Sequence, residues 1–130
     1  MRKATIAIDT KLPRRDAYGA IAMPVYHTAA YEFGSAKEMS DVFCGRVLEP
    51  EYSRVMNPTV TYFEDKVKAL TGAANVFAFC SGMAAIHNAL LVFVAAGKNI
   101  VTSKHLFGNT VGLIDQTLSR LGVESRMIDL

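Results

Sequence analysis

The feature that most constrains this chain is the regular alternation of short apolar runs with helical patterns that follows Asn57. Apolar runs at 75–80, 99–103 and 123–130 are separated by two segments with helical spacing. Strands that alternate with helices of about 10–15 residues are typical of a parallel sheet with right-handed crossovers. Parallel sheets are normally buried on both faces, and three strands leave such a sheet incomplete. The pattern therefore predicts an α/β fold with an incomplete βαβαβ sheet over 58–130.

Local signals mark the ends of the helices. Asn57 is a favourable N-cap and Pro58 suits the first helical position, so a helix is predicted to begin there and to end at Gly72. The middle helix is predicted to extend to Gly97, and the last one to end at Gly122. The first and last helices each carry one apolar face, formed by Val60, Phe63, Val67 and Leu70 and by Val111, Ile114, Leu118 and Leu121.

The segment before these helices, residues 1–57, reads as an extended arm. Prolines interrupt it repeatedly, and the runs between them are too short for large elements. One short helix is legible, because Ser35 and Glu38 have the spacing of a capping box and an apolar pattern follows as far as Gly45. We therefore predict two regions, an arm over 1–57 and the start of a larger domain over 58–130.

Composition narrows the class of protein. Hydrophobic residues make up 51% of the 130 residues, which suffices for a core, and a net charge of +2 with scattered basic residues predicts no nucleic-acid partner. The longest apolar run, Ala89–Ala96, is far shorter than the roughly 20 residues of a membrane span. Two cysteines in unrelated contexts and an N-terminus without an apolar leader favour the reducing cytoplasm. The three histidines have no cysteine or carboxylate at ligand spacing, so no metal site is predicted.

Two clusters could carry chemistry. Ser81, Gly82 and Met83 lie where a strand is predicted to pass into a helix, and their amides could face an anion that the helix dipole attracts. The alternative is that Ser81 only caps the helix and Gly82 only allows close packing. Tyr52 and Arg54 lie two residues apart, and on an extended segment both would point to the same side. Their alternative is an exposed arginine beside a half-buried tyrosine.

Several motifs, in this order and at these separations, resemble one known family. They are Pro24-Val-Tyr-His-Thr28, Tyr52-Ser-Arg-Val-Met-Asn-Pro-Thr59, Glu64, Cys80-Ser-Gly-Met-Ala-Ala-Ile86 and Leu106-Phe-Gly-Asn-Thr110. Together they are similar to the N-terminal part of the Cys/Met metabolism (transsulfuration) family, pyridoxal 5'-phosphate (PLP) enzymes of fold type I. The family includes cystathionine γ-synthases, cystathionine lyases, methionine γ-lyases and O-acyl-homoserine sulfhydrylases. The resemblance implies the beginning of a PLP-dependent transferase-like large domain.

The resemblance also implies cofactor-binding roles. Gly82 and Met83, with Ser81 adjoining, would hold the PLP phosphate, and Phe107 would stack on the PLP ring. The family commonly has tyrosine at the position of Phe107, so this chain keeps the stacking face and lacks the phenolic proton.

Two further implications concern neighbouring chains and catalysis. Tyr52 and Arg54 would reach the phosphate of a neighbouring subunit, which implies a homo-oligomer, a dimer or tetramer, with the arm in its contacts. The Schiff-base lysine of the family lies farther downstream, so no catalytic residue is predicted here. Lys104 follows the second predicted strand and is predicted to be a surface lysine.

The activity implied for the complete enzyme is β- or γ-elimination, or γ-replacement, on O-acyl-homoserine or a sulfur amino acid. The missing phenol slightly favours the sulfhydrylase type of replacement. One alternative is a non-catalytic truncated or split subunit that associates with a full-length homologue or a complementary chain. Another is a stand-alone phosphate-binding module, which the incomplete sheet disfavours.

Overall fold

The structure is a computed structural model that describes residues 3–8 and 18–129. Across these residues it contains five α-helices, one π-helical segment (the π segment) and two strands. They are α1 Lys3–Ile8, α2 Ala36–Phe43, α3 Pro58–Thr71, α4 Gly82–Leu91, β1 Asn99–Ser103, α5 Gly108–Gly112, the π segment Leu113–Leu118 and β2 Glu124–Ile128. The chain divides into two compact units, unit 1 (Met1–Ala78) and unit 2 (Phe79–Leu130).

Helix α3 of unit 1 begins and ends as the sequence predicts. The Asn57 side chain accepts a hydrogen bond from the Thr59 amide at 2.9 Å, and Pro58 occupies the first position. At the other end Gly72 has a φ of 74°, and its amide donates to the Lys68 carbonyl at 2.8 Å. Glycine adopts this left-handed conformation without the steric cost of a side chain, so the helix stops here.

Helix α2 of unit 1 has the predicted capping box in a modified form. Ser35 Oγ accepts a hydrogen bond from the Glu38 amide at 3.1 Å. The Glu38 carboxylate accepts from the Gly34 amide at 2.8 Å, one residue before the N-cap. The first turn is therefore satisfied from both sides, and the helix turns Val42 into the interior of the unit.

Helix α1 is not predicted by the sequence pattern, which indicates a single helix in the arm. It contacts α3, where Lys66 Nζ donates to the Ile6 carbonyl at 3.1 Å. A helix of six residues has little stability of its own, because nucleation is costly and short helices are marginal in water. Contact with α3 therefore accounts for a helix that the local sequence does not signal.

Unit 2 is built on a parallel pair of strands. β1 and β2 pair in register along their whole length, from Asn99 with Glu124 onward. Ile114, Leu118 and Val123 form the core of the unit, and half-buried apolar side chains of both strands pack against it. The predicted α/β class with an incomplete parallel sheet is confirmed.

The first of the three predicted strands is absent from the described residues. The run at 75–80 joins no sheet, so the predicted βαβαβ order is corrected to two paired strands. A strand needs a neighbour that completes its backbone hydrogen bonds. Here the Ala78 amide donates instead to the Glu64 carboxylate at 2.7 Å. An apolar pattern alone does not supply the missing neighbour.

The predicted end of the middle helix is wrong. Helix α4 ends at Leu91 and does not extend to Gly97. Val92 and Phe93 form a turn in which the Phe93 amide donates to the Leu90 carbonyl at 2.9 Å. β-Branched and aromatic residues lose side-chain freedom in a helix, and this weakens the helix preference of the segment.

The last helix departs from regular α-helical geometry. It contains the π segment, and its final turn tightens so that the Leu121 amide donates to the Leu118 carbonyl at 3.0 Å. Leu121 therefore leaves the buried face that the spacing predicts for it and is 57% exposed. Gly122 follows with a φ of 81°, and a Cβ there would lie 3.2 Å from the Ala96 Cβ. Both its conformation and this close approach require glycine.

Candidate functional site

The junction before α4 leaves two backbone amides free. Ser81 is the N-cap, and its Oγ accepts a hydrogen bond from the Ala84 amide at 3.1 Å. Its carbonyl accepts from the Ala85 amide at 3.0 Å. The amides of Gly82 and Met83 have no acceptor in the part of the chain that the structure describes, as helical geometry dictates for a first turn.

The approach to these two amides is open. Apart from the adjoining residues and the backbone of α4 itself, no described atom lies within 4 Å of the position that a Cβ on Gly82 would take. A helix N-terminus carries about half a positive charge, and its free N–H groups point along the axis toward any anion placed there. Gly82 and Met83 can therefore donate hydrogen bonds to a phosphate, while Ser81 keeps the turn in place.

Helix α5 ties an exposed aromatic residue to this junction. Phe107 is the residue before α5, and its side chain is 72% exposed. Its carbonyl accepts a hydrogen bond from the Thr110 amide at 2.8 Å. Thr110 Oγ1 in turn donates to the Met83 Sδ at 3.8 Å. Thr110 thus links Phe107 to the N-terminal turn of α4.

Tyr52 and Arg54 form a pair of their own in unit 1. The Arg54 guanidinium carbon lies 4.7 Å from the centre of the Tyr52 ring, which is within cation–π range. The segment is a turn, because the amides of Val55 and Met56 both donate to the Tyr52 carbonyl, at 2.8 and 3.0 Å. The two side chains lie together as predicted, but through this turn and not through extended geometry.

An exposed charged cluster lies at the ends of β1 and β2. Lys104 Nζ is 2.5 Å from Asp129 Oδ2, and His105 Nε2 is 2.6 Å from Asp129 Oδ1. The hydrogen bond from Lys104 first, and that from His105 second, lower the pKa of Asp129 below its usual value. Lys104 is half-exposed with a carboxylate partner, which agrees with the predicted surface lysine.

Among residues 3–8 and 18–129, no three His, Cys, Asp or Glu side chains are grouped so that they could hold a metal ion. Over the same residues, no helix has the length and apolar character needed to cross a membrane.

The family model of the Cys/Met metabolism PLP-dependent enzymes matches residues 4–130. The chain belongs to this family. The resemblance carried by the sequence motifs is thereby confirmed, and the cofactor of the family is PLP.

The family members most similar to the chain include sulfhydrylases and lyases. The O-acetyl-L-homoserine sulfhydrylase of Corynebacterium glutamicum is 40% identical over 107 residues, which are 82% of this chain and 24% of that protein. The L-methionine gamma-lyase of Fusobacterium nucleatum is 37% identical over 115 residues, which are 88% of this chain and 29% of that protein. This chain therefore spans only about a quarter of the length of these relatives.

Solved structures of the family share the fold. A Campylobacter jejuni protein described as an O-acetylhomoserine (thiol)-lyase matches with a TM-score of 0.90 and 31% identity. The match covers 99% of this chain and 30% of that chain, which carries N'-pyridoxyl-lysine-5'-monophosphate. The metB protein of Corynebacterium glutamicum matches with a TM-score of 0.84 and 32% identity, over 99% of this chain and 32% of that chain.

The junction in unit 2 has the chemistry that this family's cofactor requires. Free amides at a helix N-terminus suit a phosphate monoester. The exposed face of Phe107 suits stacking on a planar heteroaromatic ring. Ser81, Gly82, Met83 and Phe107 are thus assembled in one unit of the family member, although their contacts with PLP stay predictions.

Sequence reasoning missed Thr110 as part of this site. It is 9% exposed and is a buried polar residue that contacts Met83. The spacing of apolar residues in the sequence could have indicated this role. Thr110, Ile114 and Leu118 follow one another at four-residue intervals and so share a helix face. A polar residue in line with two core residues points to a specific polar contact.

Proposed function

We propose that this chain forms the phosphate-binding part of a PLP-dependent enzyme that acts on O-acyl-homoserine or a sulfur amino acid. The reaction is a β- or γ-elimination or a γ-replacement. The proposal includes a cytoplasmic homo-oligomer in which Tyr52 and Arg54 serve the site of a neighbouring subunit. Family membership supports the general class, and the junction before α4 supports the role of this segment.

The observation that carries the proposal is the open N-terminus of α4, which Thr110 links to the residue that bears the exposed Phe107 ring. The Gly82 and Met83 amides hold the phosphate by hydrogen bonds, and the helix dipole stabilises its negative charge. Phe107 holds the ring in one plane and excludes water from that face. When bound, PLP supplies an electron sink for bond cleavage at the amino acid. These residues of the chain bind and orient the cofactor and transfer no proton.

Phe107 bears on the type of reaction. A phenylalanine side chain has no ionisable group, so no proton can be donated or accepted at this position. An elimination that uses a phenol here is therefore not open to this chain. For this reason we favour γ-replacement on O-acyl-homoserine.

The test compares two substitutions at Gly82, the first residue of α4. Gly82→Pro removes the amide proton but suits the first helical position, and the extended Ser81, with φ −157° and ψ 159°, tolerates a following proline. Gly82→Ala keeps the amide and places its methyl group in open space. We expect Gly82→Pro to weaken PLP binding about ten- to hundredfold, the cost of one charge-assisted hydrogen bond, and Gly82→Ala to change it little.

Binding is measured by titrating the full chain with PLP and following the PLP absorbance, with circular dichroism to confirm that α4 is retained. Pyridoxal, which lacks the phosphate, is the control ligand and should bind weakly to every variant. Equal PLP affinity in Gly82→Pro and Gly82→Ala would overturn the proposed phosphate site. So would equal affinity of the parent chain for pyridoxal and PLP.

A second candidate function is a non-catalytic subunit that associates with a full-length homologue. The exposed Tyr52–Arg54 pair favours it, because within the described residues no carboxylate pairs with Arg54. In a mixed oligomer, replacing the parent chain by its Arg54→Ala variant should speed the loss of PLP from the homologue. Unchanged PLP retention would count against this role.

A further inference from the structure

The orientation of Arg54 depends on few contacts of its own. Its guanidinium stacks on the Tyr52 ring and makes no hydrogen bond or ion pair among residues 3–8 and 18–129. An exposed arginine side chain loses conformational entropy when it binds an anion. The affinity for the anion therefore depends on how far the side chain is already held in place. The groups that hold the turn at Tyr52 therefore matter for binding.

The first such group is the hydroxyl of Ser53, which lies between the two residues in sequence. It donates its proton to the Thr28 carbonyl. A hydroxyl has one proton, so the contacts with the Tyr31 hydroxyl at 3.1 Å and the Asn57 Nδ2 at 2.9 Å are ones in which Ser53 Oγ accepts. The Ser53 amide also donates to the Ala29 carbonyl at 2.9 Å. The hydroxyl and the amide of Ser53 together make four hydrogen bonds, which attach the turn to residues 28–31 and to Asn57.

The second group is the Asn57 side chain, which acts in two directions. Its Oδ1 caps α3 by accepting from the Thr59 amide at 2.9 Å. Its Nδ2 donates to Ser53 Oγ and to the Tyr26 carbonyl, both at 2.9 Å. One amide group thus joins the start of α3, the Tyr52 turn and the backbone at Tyr26.

Thr59 completes this attachment from the first turn of α3. Its Oγ1 accepts from the Tyr26 amide at 2.9 Å and donates to the Pro24 carbonyl at 3.3 Å. Both backbone groups of Tyr26 are therefore bonded to the start of the helix. Residues 24–31, the Tyr52 turn and the start of α3 share one polar network, in which Ser53 lies within the turn and Asn57 donates to it from the N-cap of α3.

We propose that Ser53 and Asn57 are positioning residues that hold Tyr52 and Arg54 as a preformed site for a phosphate monoester. The inference deepens the proposed function and rests on it, since the phosphate is that of PLP. Neither residue touches the anion. They act by fixing the turn, so that Arg54 is held over the Tyr52 ring before the anion arrives.

The test is Asn57→Ser, which separates the capping of α3 by Asn57 from the hydrogen bonds that Asn57 donates to Ser53 and Tyr26. Serine is as good an N-cap as asparagine, so α3 is retained, but serine is too short to donate to Ser53 and Tyr26 together. Asn75→Ser is the matched control, because Asn75 only accepts from Lys68 Nζ at the surface, outside the network. Ser53→Ala is a second variant. It removes the hydroxyl that accepts from Asn57 Nδ2 and leaves the α3 cap intact.

Two nuclear magnetic resonance readouts are made on the full chain. The first, without ligand, is the displacement of the Arg54 Nε–H signal by the Tyr52 ring, which reports the stacking itself. The second is the response of the same signal to added PLP. We expect Asn57→Ser and Ser53→Ala to reduce the displacement and to weaken the PLP response about three- to tenfold, as expected for one or two lost hydrogen bonds. Asn75→Ser should match the parent, and circular dichroism should be unchanged.

The outcomes separate the two proposals. If Asn57→Ser and Ser53→Ala keep both the ring displacement and the PLP response of the parent, the positioning role is wrong. If the displacement falls only together with loss of helical signal in both variants, the two residues are merely structural and the inference also fails. If the displacement falls while PLP never moves the Arg54 signal of the parent, positioning stands and the proposed phosphate contact of Arg54 is wrong.

Discussion

At the scale of single residues, two neighbouring cations change the acidity of Asp129. The hydrogen bond from Lys104, and next that from His105, stabilise the ionised carboxylate and lower its pKa from the usual 3.8. A carboxyl group whose pKa is lowered by folding stabilises the folded state above its unfolded pKa. That contribution is lost as the pH falls through the lowered folded value. The three side chains are exposed, so salt screens the effect.

We therefore predict that Asp129 titrates below 3.8 in the folded chain and that Lys104→Met raises its pKa toward that value. His105→Gln should have the smaller effect. The measurement is a carbon-13 titration of the side-chain carboxyl by nuclear magnetic resonance, with Lys98→Met as a control that removes a lysine from the other end of β1. A Lys104→Met titration that coincides with that of the parent would contradict the assignment.

At the scale of elements, the last helix decides how unit 2 is held together. Ile114 and Leu118 face the core, while the tightened final turn exposes Leu121. The sequence pattern places all three on one face, and it is right for two of them. The spacing of apolar residues predicts a buried face only for a regular α-helix. The π segment and the tightened final turn rotate the later side chains, and the apolar pattern of the sequence gives no sign of either.

The same substitution at two positions tests this helix. Leu118→Ala removes a side chain that is 0% exposed and should lower the free energy of unfolding by about 2–4 kcal/mol, from lost burial and the cavity that remains. Leu121→Ala should cost less than about 0.5 kcal/mol, because its side chain lies largely in water. Urea unfolding followed by circular dichroism measures both. Similar losses for the two variants would show that the final turn is wrongly assigned.

At the scale of the whole molecule, many large apolar side chains of the described residues are exposed. The end of α4 alone exposes Leu91, Val92 and Phe93 in succession. Soluble monomers rarely expose contiguous apolar patches of this kind, and such patches usually mark a contact surface. The chain also spans only about a quarter to a third of the length of its relatives.

We predict that the chain self-associates at micromolar concentration and that Phe93→Lys weakens this association about tenfold. Phe93 is 83% exposed, and burying a side chain of this size favours association by a corresponding free energy. Ser119→Lys adds the same charge at an exposed polar position and should leave association unchanged. Sedimentation equilibrium over a hundredfold range of concentration gives the answer. A parent chain that stays monomeric throughout would refute the prediction.

The sequence by itself determined the features that depend on near neighbours. The caps at Ser35, Asn57 and Ser81 and the stop at Gly72 are local, because each hydrogen bond or backbone conformation involves residues at most four positions apart. The ordered motifs also identified the family, since they preserve the chemistry of a site.

Only the tertiary structure decided which segments pack or pair with another segment. The run at 75–80 has strand composition but no neighbouring strand among the described residues, whereas α1 forms because α3 supports it. The link from Thr110 to Met83 and the network of Ser53 and Asn57 join residues distant in sequence. Hydrogen bonds and burial require a partner that is close in space. A sequence pattern shows which hydrogen-bonding and apolar groups a segment has, but it does not show which other segment packs against them.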